Sequence, residues 1–265
     1  MSRHPFDPML EDLPLEIPIF PLRGAVILPG GYIPLNVFEP RYVNMVLDSL
    51  RTPTRLIGII QPRAEPEEGD RLGEHSADGL ASPVSKPPSR KGKAAQPRDP
   101  NDATADGDDQ PHPPALYDIG CAGRISAFSE EEDGRILLRL TGVCRFRVEQ
   151  ELPQLHGYRR ILPAWQEFVE DLQGDKEAQG LINRDRLLPM LREYFRLQSI
   201  DANWDSIRDT GDEPLITTLC LISPLEPQEK QALLEAPNLV ERAKILQTLI
   251  EMAVLSDNIS GSTPN

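Results

Sequence analysis

Residues able to do chemistry are spread along this chain rather than gathered in one motif. Arg139, Arg145 and Arg147 alternate along one predicted strand, Arg124 lies on its hairpin neighbour, and Arg159 and Arg160 lie on the next strand. Such a basic strip suits carboxylates or the phosphates of a nucleic acid, to which guanidinium groups donate in pairs. Its ordinary role is the polar side of a half-exposed antiparallel sheet. Glu39 and Arg41 flank a helix start; they read first as a structural pair, with a binding groove as the alternative. The three cysteines, Cys121, Cys144 and Cys220, form neither C-x-x-C nor a zinc spacing, and the four histidines are scattered. No metal site and no cofactor are expected from that pattern. Ser223 and Lys230 are close in sequence, but a nucleophile needs a desolvated or hydrogen-bonded base beside it. Lys230 stands in what reads as an exposed, acid-rich helix start, so no catalytic residue is assigned.

The strongest strand signal frames the arginines. Ile119, Cys121, Gly123, Ile125 and Ala127 fall on one face of one strand; Ile136, Leu138, Leu140, Gly142, Cys144, Phe146 and Val148 do so on the next. Period-two alternation of this length predicts a hairpin, turned by Glu131-Glu132-Asp133-Gly134. With a four-residue turn, Cys121 faces Cys144; both are expected as reduced core thiols. Between Leu13 and Pro40, short β-type runs (Ile17–Phe20, Ala25–Leu28, Tyr32–Phe38) are broken by Pro18, Pro21, Pro29 and Pro34. Proline cannot donate into a ladder, so these strands should be short, edge-like or bulged, as in a small irregular barrel. Pro40 then opens a helix with Tyr42, Met45, Val46 and Leu50 on its apolar stripe. After Phe168 the period becomes helical: Arg184–Leu197, an apolar Pro214–Ile222, Pro227–Ala236, and a last helix capped by Asn238 with Leu239, Ala243, Leu246, Ile250 and Ala253 as its seam.

Composition shifts at Gln61-Pro62 and again at Leu116-Tyr117. The stretch between holds ten of the 27 prolines, eleven acidic and seven basic residues and no aromatic one. Such a segment buries too little apolar surface to offset chain entropy, so 62–115 is expected to be a disordered insertion. Its basic cluster Lys86 to Lys93 reads as solvated. The strands on either side, Arg55–Gln61 and the one from Tyr117, should lie close together. The net charge of −14 disfavours nucleic acid and anionic membranes. No apolar run approaches the roughly 20 residues that span a bilayer, and MSRHPFDPML lacks the apolar core of a signal peptide. The chain reads as cytoplasmic.

Several runs occur in a telling order: Ile19-Phe20-Pro21-Leu22, Leu28-Pro29-Gly30, Pro34-Leu35-Asn36-Val37-Phe38-Glu39-Pro40-Arg41-Tyr42 and Gly58-Ile59-Ile60-Gln61-Pro62, then Ile119-Gly120-Cys121-Ala122-Gly123-Arg124-Ile125 and Glu229-Lys230-Gln231-Ala232-Leu233-Leu234-Glu235. In this order they resemble stand-alone bacterial proteins similar to the N-terminal, substrate-binding domain of Lon protease. The resemblance implies an α+β fold. A PUA-like β pseudo-barrel (named after pseudouridine synthases and archaeosine transglycosylases) would cover 13–165, interrupted at 62–115. A C-terminal α-helical bundle would follow over 166–256, with 1–12 and 257–265 as flexible termini.

The same resemblance implies a non-enzymatic module whose partners are polypeptide segments or a client protein, with a protease as a candidate partner. Its candidate ligand-binding residues are Phe38, Glu39, Arg41, Tyr42 and Arg124. The alternative is an RNA-binding PUA-like protein using Arg139, Arg145 and Arg147. There is no G-x-x-x-x-G-K-[ST] to cradle nucleotide phosphates, since Gly69–Gly73 lacks the lysine. The chain is expected to stop where an ATPase would begin, so the ATPase and peptidase parts are expected to be absent.

Overall fold

The computed structural model describes residues 6–63, 114–173 and 182–260. The expected insertion falls outside the described residues from 64 to 113, as do 1–5, 174–181 and 261–265. All that follows concerns the unit made of Met1–Arg63 and Leu116–Asn265.

Among the described residues, six strands form one mixed sheet: β1 (Ile17–Pro21), β2 (Tyr32–Val37), β3 (Leu56–Ile60), β4 (Ile119–Glu130), β5 (Ile136–Leu155) and β6 (Tyr158–Ala164), in the order β2-β5-β4-β3-β1-β6. β6 pairs antiparallel with β1 (Ile17↔Ile161) and also with the far half of β5 (Arg147↔Ala164). Strands β5, β4, β3, β1 and β6 therefore return on themselves, and β2 lies outside the circuit along the near half of β5 (Tyr32↔Thr141 to Val37↔Ile136). Such closure requires β5 to serve several partners in turn, which its 20 residues and its bulges permit. Proline placement follows the same logic: Pro34 sits in the outlying β2 and Pro21 at the end of β1, where fewer ladder bonds are needed.

The β4–β5 turn falls where expected, but Glu130 faces Ile136 rather than Arg135, one residue off the register of a four-residue turn. Gly134 takes φ +83°, Gly134 N–H donates to the Glu131 carbonyl, and Glu131 N–H to that of Arg135. The offset that begins at the turn is cancelled by an extra residue in β4, Ser126, and restored by one in β5, Val143: Gly123 faces Gly142, Ala122 faces Cys144 and Cys121 lies opposite Arg145. A bulge is invisible to a period-two reading because it breaks the alternation locally without changing residue types. All three cysteines are free and buried. Burial pushes the Cys220 thiol up to about 12 and raises those of Cys121 and Cys144 as well.

β3 and β4, which flank the insertion, pair antiparallel (Ile59↔Cys121). Beyond them Pro62 bridges to Leu116, and Tyr117 N–H donates to the Gln61 carbonyl. The Ala25–Leu28 run is not a strand. It is a buried loop whose Ile27 and Leu28 fill the interior, and its neighbours Gly30 and Gly31 exchange backbone hydrogen bonds with Gly142.

Among the described residues, six α-helices accompany the sheet: α1 (Pro40–Leu50), α2 (Arg184–Leu197), α3 (Trp204–Asp209), α4 (Asp212–Ile222), α5 (Pro227–Glu235) and α6 (Leu239–Ser260). α1 lies against β1, β3 and β6, burying Tyr42, Met45 and Val46. The rest pack largely on one another, with α6 touching α2, α4 and α5 through Leu239, Leu246 and Ile250. Asn183, Asn203 and Asn238 each accept a hydrogen bond from the backbone three residues on, fixing the starts of α2, α3 and α6. Sheet and helices share one apolar core, so the architecture is α+β.

Candidate functional site

A groove of about 610 Å³ opens where the loop between β1 and β2 crosses β5 and meets α4. That volume is within the range of roughly 300–1,000 Å³ usual for ligand sites. Two glycines make the crossing possible. A Cβ on Gly142 would lie 2.1 Å from the Leu28 carbonyl oxygen, and one on Gly31 would lie 2.7 Å from Leu221 Cδ1. At Gly142 the obstacle is backbone, so no side chain fits there; at Gly31 it is the end of the Leu221 side chain, which can shift at smaller cost.

The walls are largely apolar, with Val26 and Pro29 from the loop, Leu172, and Pro214 and Leu221 from α4. Tyr32 and Ile222 stand at its rim, 63% and 53% exposed. Charges in the lining are mostly neutralised. Arg124 Nε donates to Asp7 at 2.9 Å, and Arg145 holds Asp171 through Nε and Nη2, both at 2.9 Å. Glu213 is also engaged. Lys230 differs. Half-buried on the first turn of α5, it has no ion-pair or side-chain hydrogen-bond partner among the described residues, and burial lowers its pKa. No hydrogen bond joins it to Ser223, whose hydroxyl is buried.

The residues singled out in the sequence lie in three places. Phe38, Glu39, Arg41 and Tyr42 gather where β2 enters α1, and none of them lines the groove. There Phe38 is 65% exposed, Arg41 pairs with Glu39 at 2.8 Å and covers the Tyr42 ring, and Tyr42 packs on Phe20 with ring centroids 4.1 Å apart. Arg124 is buried beneath the groove, beside Asp7.

The third set, Arg139, Arg145 and Arg147, does not form one exposed strip. Arg139 is exposed beside the Tyr32 ring, Arg147 is locked to Glu167 at 2.7 Å, and Arg145 is buried. Arg145 also donates to the carbonyls of Leu234 and Ala236. Its side of the sheet is covered by the 3₁₀ segment Gln166–Leu172 and the α5–α6 connection, elements that the strand pattern alone does not place. Tyr32, Leu221, Ile222 and Lys230 were not singled out as a site. The available signal was the glycine pair Gly30-Gly31 after a proline, together with a glycine inside a strand run, which marks a close backbone approach.

Among the described residues, no group of three or more His, Cys, Asp or Glu side chains is placed to hold a metal ion. Among them, too, no helix is long and apolar enough to cross a membrane.

A mixed sheet that returns on itself and carries helices thus holds an apolar groove at their junction. Residues 16–252 match the family model described as the ATP-dependent protease La (LON) substrate-binding domain, and the chain belongs to that family. It is 24% identical over 261 residues to Lon protease 2 of Myxococcus xanthus and 27% identical over 261 residues to Lon protease of Anaeromyxobacter dehalogenans. Each match covers 95% of this chain but only 26% and 25% of the relative. The chain thus spans about a quarter of the length of these curated relatives. In fold it is similar to the N-terminal domain of Mycobacterium avium complex Lon protease, with a TM-score of 0.52 and 14% identity over 89% of this chain and 98% of the other.

Proposed function

We propose that this chain is a non-enzymatic polypeptide-binding module, serving as an adaptor for client proteins in cytoplasmic protein quality control. Its scaffold is read as a PUA-like pseudo-barrel over 13–165 with a helical bundle over 166–256. The observation that carries the reading is the apolar groove between the β1–β2 loop and α4, in a chain of the LON substrate-binding family. Apolar walls with an aromatic rim residue suit extended, side-chain-rich segments, since burying each large apolar side chain contributes about 1.5–3 kcal/mol. A general affinity for phosphate backbones is disfavoured by the net charge of −14 and by the burial of Arg145.

The test is a fluorescence-anisotropy titration of the full chain against a labelled, permanently unfolded polypeptide. Saturable binding is expected, weakened about tenfold in the double variant Tyr32→Ser, Ile222→Ser. Both side chains are exposed, so stability should move by no more than about 0.5 kcal/mol. Absence of binding, or an unchanged affinity in the double variant, overturns the assignment.

A further inference from the structure

We infer that the groove reads the free C-terminal carboxylate of an apolar chain end, and that Lys230 is the residue that reads it. This rests on the polypeptide-binding reading and gives it a substrate class. The first support is charge. The lining carries Asp7, Asp171, Glu213 and Lys230, and every carboxylate among them already has a partner. Lys230 is the charged side chain of this lining without an ion-pair or side-chain hydrogen-bond partner among the described residues, and it is held half-buried against apolar walls where water screens it poorly. An ammonium so placed gains most from an incoming carboxylate, which restores in the bound state what burial removed in the free one.

The second support is shape. Pro227, one turn before Lys230, lies beside Gly24 on the loop. Gly24 N–H donates to Gln61 Oε1 at 2.9 Å, and Gln61 Nε2 donates to the Pro227 carbonyl at 2.8 Å and to Gln231 Oε1 at 3.1 Å. Loop and α5 are thus tied together next to Lys230, through a glutamine that is fully buried. The inference requires a chain that ends against this tie, where its terminal carboxylate meets the ammonium; a chain that continued would have to displace the tie.

Three labelled hexapeptides of one neutral apolar sequence test this by anisotropy at low salt with the full chain. One ends in a free carboxylate, one in an amide, and one in an amide with a single internal Glu. The free acid is expected to bind at least about tenfold tighter than the amide. Lys230→Gln should remove that difference and Lys230→Arg should keep it. Equal affinity for acid and amide in the wild type overturns the inference, as does a difference that survives Lys230→Gln. An internal-Glu peptide that binds as tightly as the free acid overturns the assignment to a terminus. If none of the three binds, the polypeptide-binding reading itself falls; if acid and amide bind equally, only the carboxylate reading does.

Discussion

Arg145 on β5 and Asp171 at the end of the 3₁₀ segment form a two-point ion pair, with Nε to Oδ2 and Nη2 to Oδ1 each at 2.9 Å. Only 5% and 10% of the two side chains is exposed. Asp171 also accepts the Arg145 backbone N–H, and Arg145 Nη1 reaches the Ala236 carbonyl at 2.6 Å, so one guanidinium ties the sheet to the segment before α2 and to the α5–α6 connection.

Breaking that pair from one side leaves a buried guanidinium without its counter-charge. Asp171→Asn should therefore cost about 3–5 kcal/mol, read by urea unfolding. Arg145→Lys should also be poorly tolerated, because an ammonium cannot reproduce the forked contacts. A loss below about 1 kcal/mol for Asp171→Asn would show that the pair does not hold these elements together.

Arg242 behaves oppositely to Arg145. It is 7% exposed; Nε donates to the Leu233 carbonyl, while Nη2 has no partner among the described residues. Burial lowers its pKa, and the charge of Arg145 lowers it further. Replacing a poorly satisfied buried cation with an apolar side chain of similar length is often neutral or stabilising. Arg242→Met should unfold within about 1 kcal/mol of the wild type or later. A loss comparable to that of Asp171→Asn contradicts this account.

Asp48 on α1 joins the β5–β6 turn, accepting from Tyr158 OH at 3.0 Å and lying 2.7 Å from His156 Nδ1. Burial alone would raise its pKa, but the hydrogen bonds of His156 and Tyr158, with the charges of His156 and Arg51, outweigh it and hold the carboxyl below its ordinary range. A carboxyl depressed in the folded state stabilises fully above its unfolded pKa of about 4, and the contribution disappears as pH falls through the folded value. Stability should thus drop below about pH 4 more steeply in the wild type than in Asp48→Asn. Urea titrations from pH 5 to about pH 2 measure this, and parallel curves would exclude Asp48 as a source of acid sensitivity.

Gly142 sets how closely the β1–β2 loop can cross β5. With an added Cβ 2.1 Å from a carbonyl oxygen, backbone must move, so Gly142→Ala should cost about 1–3 kcal/mol or more and distort the groove. Gly211→Ala is the control, since its Cβ would meet Pro214 at an ordinary 3.7 Å. Thermal unfolding of the two, with peptide titration of each, separates a local effect from a general glycine effect. Equal melting temperatures would remove the close crossing as a constraint.

Local patterns in the sequence determined the local elements. Alternation fixed the β4–β5 hairpin and its Asp-Gly turn, helical spacing fixed the limits Arg184–Leu197, and asparagine caps fixed where α2, α3 and α6 begin, because turn chemistry and periodicity act over a few neighbouring residues. Tertiary structure decided the rest. The register at the turn and the bulges at Ser126 and Val143 together put Cys121 opposite Arg145 rather than Cys144, a remote segment covered Arg145 that alternation places outward, and α5 docking on Gln61 turned Lys230 from an exposed helix start into part of a groove wall. A side chain's surroundings depend on elements tens of residues away, and no periodicity in its own strand or helix records which of them will cover it.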